Sequence, residues 1–207
     1  NENSLKTCLI LSNFNSLILD YILRQKLGGI SLSFFYVKQL PIIEYNRYSS
    51  YEFFVTVCKS FELTYTSWDI KHCADDVWKE ADEELRVAIK QQWAENQIAT
   101  GGHAWSPPEW CEDYGKTQEE TNGCPLPPFK WDEERRAILK AELDAIYAKL
   151  YGLTTEELRY ILDPQDVYGP DFPGETFRVL KDKEMRLYGE YRTRRLVLEA
   201  WDKLTNF

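Results

Sequence analysis

A mainly α-helical chain with a small β element near the N-terminus, an α+β arrangement that closes in a helical C-terminal bundle, is the fold class this sequence predicts. Three observations carry the prediction. Apolar residues recur at spacings of three and four through long stretches. Gly and Pro interrupt those stretches every few helical turns. One short segment, Ile30-Ser31-Leu32-Ser33-Phe34, alternates apolar and polar as a half-buried strand does.

Taken in order, Phe14, Leu17, Ile18, Tyr21 and Ile22 share a helical face, and Gly28-Gly29 is expected to stop that helix in a left-handed cap. The strand follows, and Pro41, which cannot donate to a ladder, marks its exit. Residues 51–68 are so rich in β-branched and aromatic types that strand and buried helix both fit. Residues 75–98 read as one helix with Val77, Ala81, Leu85, Ala88 and Ile89 on a face. Residues 99–129 hold Gly101-Gly102, Pro107-Pro108 and Pro127-Pro128 and read as a long loop or insertion. From Asp132, Leu139, Leu143, Ile146 and Leu150 form one stripe, with Gly152 at the position just past the helix end. Thr154 and Glu157 make a capping box for a short helix that stops before Pro164. A Pro/Gly loop spans 164–174, and residues 176–188 and 193–204 give two more helices, with Thr193 a plausible N-cap for the last.

A net charge of −9 argues against nonspecific nucleic-acid binding by the whole surface. The acidity is uneven. Residues 69–120 hold 13 Asp/Glu and 5 Lys/Arg, whereas residues 178–207 hold 8 Lys/Arg and 5 Asp/Glu, so the C-terminal part can still meet phosphates. The 7 Trp and 13 Tyr read as cement for helix packing before they read as base-stacking residues. Five cysteines at irregular spacing are not a disulfide framework, which fits reduced thiols and a cytoplasmic location. No apolar run approaches the roughly 20 residues of a membrane helix. The chain opens on Asn1, and its only Met is Met185, so it is expected to be a piece of a longer protein.

Chemistry-bearing motifs are sparse. Neither phosphate-binding glycine loop is present, nor a G-x-S-x-G elbow. His72, Cys73, His103, Cys111 and Cys124 lack the paired spacing of structural zinc ligands. Ser106-Pro107-Pro108-Glu109-Trp110 and Leu126-Pro127-Pro128-Phe129 each depart from the polar-Pro-Pro-aromatic motif that amino-methyltransferases place beside a flipped base, and both read as loop prolines. Asp69-Ile70-Lys71 matches part of a nuclease arrangement in which two acids hold magnesium and a lysine activates water, with Glu62 the nearby acid. Lys181, Lys183, Arg186, Arg192, Arg194 and Arg195 form a basic cluster, which reads first as a solvated face balanced by Glu184, Glu190 and Glu199, and otherwise as a phosphate contact or a contact with another part of the parent. Behind a Thr193 cap, the amides at 194–196 could also face an anion.

Two regions together resemble a known family. NSLILDYILRQKLGGISLSFFYVKQLPII, at 15–43, resembles the end of the target-recognition region in type IIG-like restriction–modification adenine-specific DNA methyltransferases. FELTYTSWDIKHCADD (61–76), the run from Pro128 to Asp163 and the run from Glu175 to Leu204 look like the helical C-terminal region of the same enzymes. Segment 77–127 is the least family-like. The resemblance implies residues 1–43 as the end of a target-recognition domain, and 44–207 as a helical C-terminal region with a loop-rich insertion at about 99–129. It implies a parent that binds double-stranded DNA and S-adenosylmethionine. No catalytic residue, cofactor or metal is expected within this piece, and no membrane partner.

DNA recognition is therefore the first functional expectation, with Arg24, Lys26, Lys38, Arg192, Arg194 and Arg195 as candidate phosphate contacts. The alternatives are a scaffold that packs on the rest of the parent polypeptide without touching DNA, and a metal-dependent nuclease using Asp69 and Lys71.

Overall fold

The computed structural model describes residues 3–29, 31–110, 115, 117–174 and 176–205. Among these residues the secondary structure is eleven α-helices and two 3-10 turns, and no strand is present. The chain divides into two compact units, each assembled from two separate stretches: unit 1 is Asn1–Leu11 with Tyr48–Arg136, and unit 2 is Ser12–Arg47 with Ala137–Phe207.

Unit 1 holds most of α1 (Ser4–Phe14), then α4 (Ser50–Thr64), α5 (Lys71–Glu80), α6 (Glu83–Thr100) and the first turn of α7 (Glu133–Leu150). Residues 51–68, open between strand and helix in the sequence, are mostly α4. Ser49 caps it: its Oγ accepts from the Glu52 N–H while the Glu52 carboxylate accepts from the Ser49 N–H and Oγ–H. The expected single helix at 75–98 is two. Ala81 breaks it, and Asp82 starts α6 by accepting from the Leu85 N–H at 2.8 Å.

The core of unit 1 is built from Leu9, Val57, Phe61, Tyr65, Val77, Leu85, Ile89 and Phe129. Phe61 stacks on Tyr65 with centroids 5.5 Å apart and meets Phe129 edge-on at 5.6 Å. A buried carboxylate, Glu62, is satisfied from three sides. Arg135 donates two hydrogen bonds to it at 2.6 and 2.9 Å, Gln92 one at 2.6 Å and Asn96 one at 2.9 Å.

Unit 2 holds α2 (Leu17–Lys26), α3 (Phe34–Val37), the rest of α7, α8 (Thr155–Leu162), α9 (Gln165–Tyr168), α10 (Arg178–Tyr188) and α11 (Arg192–Thr205). In α7 the expected stripe is buried, and Ala141, Ala145, Tyr147 and Ala148 are buried as well, so that helix is covered on more than one face. Gly152 takes φ +75°, the left-handed conformation its position calls for. The Thr154 capping box forms as the sequence predicts. Trp201 of α11 donates from Nε1 to the Thr155 hydroxyl at 2.9 Å, tying the last helix to the start of α8.

The predicted β element is absent. Leu32 and Phe34 are more than half exposed, and the chain turns at Ser33 into α3, with the Tyr36 and Val37 N–H groups donating to its carbonyl. A strand needs a neighbour for its backbone groups. The aromatic run Phe34-Phe35-Tyr36 ends the alternation after five residues, and Ile30 lies outside the described residues. Gly28 and Gly29 are not left-handed either; α2 ends at Lys26 with an extended Leu27 cap. Phe14, expected on that helix, closes α1 instead, and Ser16 starts α2 by accepting from the Leu19 N–H. Segment 40–43 is held by polar bonds rather than by a ladder. The Tyr151 hydroxyl donates to the Pro41 carbonyl at 2.8 Å, and Asn13 accepts from the Ile43 N–H at 2.9 Å.

Candidate nucleic-acid interface

All six predicted phosphate contacts lie in unit 2, and they fall into two groups. Arg192, Arg194 and Arg195 occupy the first turn of α11. That end of a helix carries positive partial charge, so cations there are unfavourable unless anions accompany them. The fold supplies the anions. Arg194 pairs with Asp166, which also takes the Arg159 guanidinium at 2.7 Å. Arg195 is paired with Glu190 and Glu199, each at 2.9 Å. Arg192 is buried, its guanidinium 4.1 Å from the Tyr188 ring centroid. Burial pushes the Asp166 carboxyl up, but the hydrogen bonds and charges of Arg159 and Arg194 outweigh it, so its pKa ends below the ordinary value. The Glu190 and Glu199 hydrogen bonds hold Arg195 above the usual guanidinium value.

α11 begins at Arg192 rather than after a Thr193 cap, so the amides at 194–196, expected to face an external anion, lie within the first turns of the helix, and the Arg195 N–H donates to the Tyr191 carbonyl at 3.2 Å. The Thr193 N–H itself donates to the Glu184 carboxylate at 2.7 Å and its hydroxyl donates at 2.6 Å, so a carboxylate of α10 already serves this end of the helix. Lys181 is engaged too, donating to Asp163 at 2.7 Å and Gln165 at 3.0 Å.

The second group lies between α2 and the end of α3. Arg24 pairs with Asp20 at 2.9 Å and sits 5.5 Å from the Phe177 ring, beside the start of α10. Lys26 and Lys38 are exposed and make no ion pair among the described residues; Lys38 lies 4.7 Å from the Phe34 centroid. Residues 21–43 contain Arg24, Lys26 and Lys38 and no Asp or Glu. The fold thus gathers the tail arginines into one helical turn and leaves Lys26 and Lys38 on a separate, acid-free segment.

Of the acids that decide this, Glu184, Glu190 and Glu199 were legible in the sequence as a balance for the cluster, and Asp166 was missed. It reaches Arg194 from a separate element, and nothing local announces that pairing. Asp144 did carry a signal, as a lone acid within the apolar run Leu143-Asp144-Ala145-Ile146. It is buried and accepts from the Leu17 N–H at 2.7 Å, capping α2 from α7. Burial pushes its carboxyl up to about 7, against the lowering effect of the Leu17 hydrogen bond and Lys140.

The other motifs are dispersed in unit 1. Asp69 accepts from the Ser67 hydroxyl, fully buried Lys71 lies against Asp75, and Glu62 serves the Arg135 network, so these three side chains have different partners. Among the described residues no three His, Cys, Asp or Glu are grouped to hold a metal ion, and Cys111 lies outside them. Burial pushes the Cys8, Cys58 and Cys124 thiols up to about 12, so they are protonated at neutral pH. Phe129 of the second proline motif is core, its N–H bonded to the Tyr65 carbonyl at 2.8 Å. A cavity of about 720 Å³ has Phe61, Tyr65 and Val77 among its walls, with Cys8, Cys73 and Glu80. No described helix is long and apolar enough to cross a membrane.

Charge divides by unit. Unit 1 has 10 Lys/Arg against 19 Asp/Glu and carries the whole −9; unit 2 has 15 of each and is neutral. Compared with family models, curated proteins and solved structures, the chain matches none.

Proposed function

We propose that this chain is the DNA-recognition and structural C-terminal portion of a type IIG-like restriction–modification, phage-defence adenine-specific DNA methyltransferase, non-catalytic by itself. The observation that carries the proposal is how the resembling blocks assort. Residues 15–43, most of the 128–163 block and the 175–204 block, far apart in sequence, belong to unit 2, while 128–136 and all of 77–127 belong to unit 1. Bonds join the blocks within unit 2: the Leu17 N–H to Asp144, the Tyr151 hydroxyl to Pro41, and Trp201 to Thr155. Block 61–76 falls in unit 1. The neutral unit, not the acidic one, carries the cations proposed to fix register on phosphates.

In this proposal the parent acts in the cytoplasm on double-stranded DNA. S-adenosylmethionine is held elsewhere in the parent polypeptide. A titration of a short duplex with the chain across a range of salt tests DNA contact. Binding that weakens steeply with salt is expected; absence of binding at low salt removes direct contact by this piece. The parent is tested separately by the coding sequence preceding Asn1, where a cofactor glycine loop and an Asn/Asp-Pro-Pro-aromatic motif are expected, and a reading frame without them sinks the family.

One observation favours a second function, a scaffold packing on the catalytic domain without DNA contact. The arginines at the start of α11 are already neutralised or buried. Unchanged DNA affinity of the parent when Lys26 and Lys38 are both replaced by Gln would select it.

A further inference from the structure

An exposed apolar cluster of unit 2 coincides with its acid-free segment. Phe34 is 70% exposed, Phe35 69% and Leu32 52%. Phe35 meets Tyr36 edge-on at 5.7 Å, and Lys38 lies 4.7 Å from the Phe34 ring centroid. Exposed large aromatics side by side lose hydrophobic stabilisation unless something covers them. What covers this pair must also tolerate, or prefer, the cations Lys26 and Lys38, Arg24 being paired with Asp20. An acidic protein would meet the charge condition alone. An anionic membrane surface meets both, and so do stacked bases flanked by phosphates, with an aromatic face for each ring and an anion at each side; the bases are the occupant that the proposed function supplies.

We propose that Phe34 and Phe35, with Leu32 beside them, form an apolar wedge that stacks on bases at an opened step of duplex DNA, while Lys26 and Lys38 sit on the flanking phosphates. The proposal rests on the DNA-contact function above and deepens it. The charge pattern favours this arrangement over a flat protein contact. Lys26 and Lys38 make no ion pair among the described residues, and they bracket the aromatics in the chain. Lysines at those positions set register without reading sequence, and the aromatic pair is sequence-tolerant because every base offers a π-face. An opened step suits the wedge better than an intact one, because the cost of unstacking has already been met.

The test uses the full 207-residue chain and two short duplexes of one sequence, one intact and one with a central abasic site opposite 2-aminopurine. The chain is expected to bind the opened duplex about tenfold more tightly and to quench the 2-aminopurine as a ring stacks on it. Replacing Phe34 and Phe35 together by Ala is expected to remove both the preference and the quenching and to leave binding to the intact duplex nearly unchanged. Both rings are exposed, so this variant should keep its fold, and an unchanged far-ultraviolet circular dichroism spectrum checks that it does. Lys26→Gln with Lys38→Gln is expected to weaken binding to both duplexes and to flatten the salt dependence by about 0.9 per lost phosphate contact. Equal affinity for the two duplexes, or an unchanged preference in the double Ala variant, overturns the wedge and leaves DNA contact standing. Failure to bind either duplex at low salt overturns both.

Discussion

α2 and α11 are both helices of unit 2 whose N-termini meet a carboxylate from another helix, yet they treat their cations in opposite ways. Asp144 of α7 accepts from the Leu17 N–H at the start of α2, and Glu184 of α10 accepts from Thr193 at the start of α11. On α2 the cations Arg24 and Lys26 lie in the last turn, where the helix dipole favours them, and of the two Arg24 alone pairs with an acid, Asp20. On α11 the cations crowd the first turn, where the dipole opposes them, and Asp166, Glu190 and Glu199 gather around them. Two basic stretches that look alike in sequence therefore differ in availability. The difference follows from which end of the helix each occupies.

The largest expected effect lies in the cap of α2. The Asp144 carboxyl is pushed from 3.8 to about 7 by burial. Between those values the folded chain keeps a proton that the unfolded chain has released, so this group's contribution to stability is lost as pH rises through the window. The gap of three pKa units is worth at most about 4 kcal/mol. Asp144→Asn keeps an oxygen for the Leu17 N–H and removes the titration. Denaturant unfolding of the two proteins should give similar stabilities near pH 4 and a variant increasingly favoured toward pH 7. Parallel pH profiles would show that Asp144 ionises freely in the fold.

At the start of α11 the corresponding change is Glu184→Gln. One amide oxygen then has to replace a carboxylate that takes two donors, at 2.7 and 2.6 Å, and the amide –NH2 faces a donor. A loss of about 2 kcal/mol is expected, the range for hydrogen bonds to a charged group. Lys183→Gln on the exposed side of α10 is the control. Equal losses in the two variants would mean that Glu184 does not hold α11.

What the sequence revealed about unit 2 was whatever depends on near neighbours. The α7 stripe, Gly152 and the Thr154 box are decided within a turn or two of the chain, and they form where expected. The strand at 30–34 failed because alternation states only which residues could share a face, while a strand also requires a partner that no five residues can specify. The same limit applies to the candidate site. The positions of the six cations were legible. Glu190 and Glu199, within five positions of Arg195, were legible as its balance, but Asp166 was not, since it lies 28 positions before Arg194 in sequence.

The smallest effect tests the comparison most directly. If Arg194 is kept from phosphates by its partner rather than by its place on α11, removing that partner should release it. Asp166→Asn abolishes the anion shared by Arg159 and Arg194, both partly exposed. The stability cost should stay within about 1 kcal/mol, because exposed ion pairs contribute little. DNA affinity should rise a few-fold at low salt, and the salt dependence should steepen by about 0.9 for each guanidinium that reaches a phosphate. A salt-dependence plot for the variant that superimposes on that of the parent sequence would break the comparison. Asp166 would then not be what withholds Arg194 from duplex DNA, and the helix end could not be the cause either, because its positive partial charge attracts phosphate; the contrast with the C-terminal cations of α2 would fail.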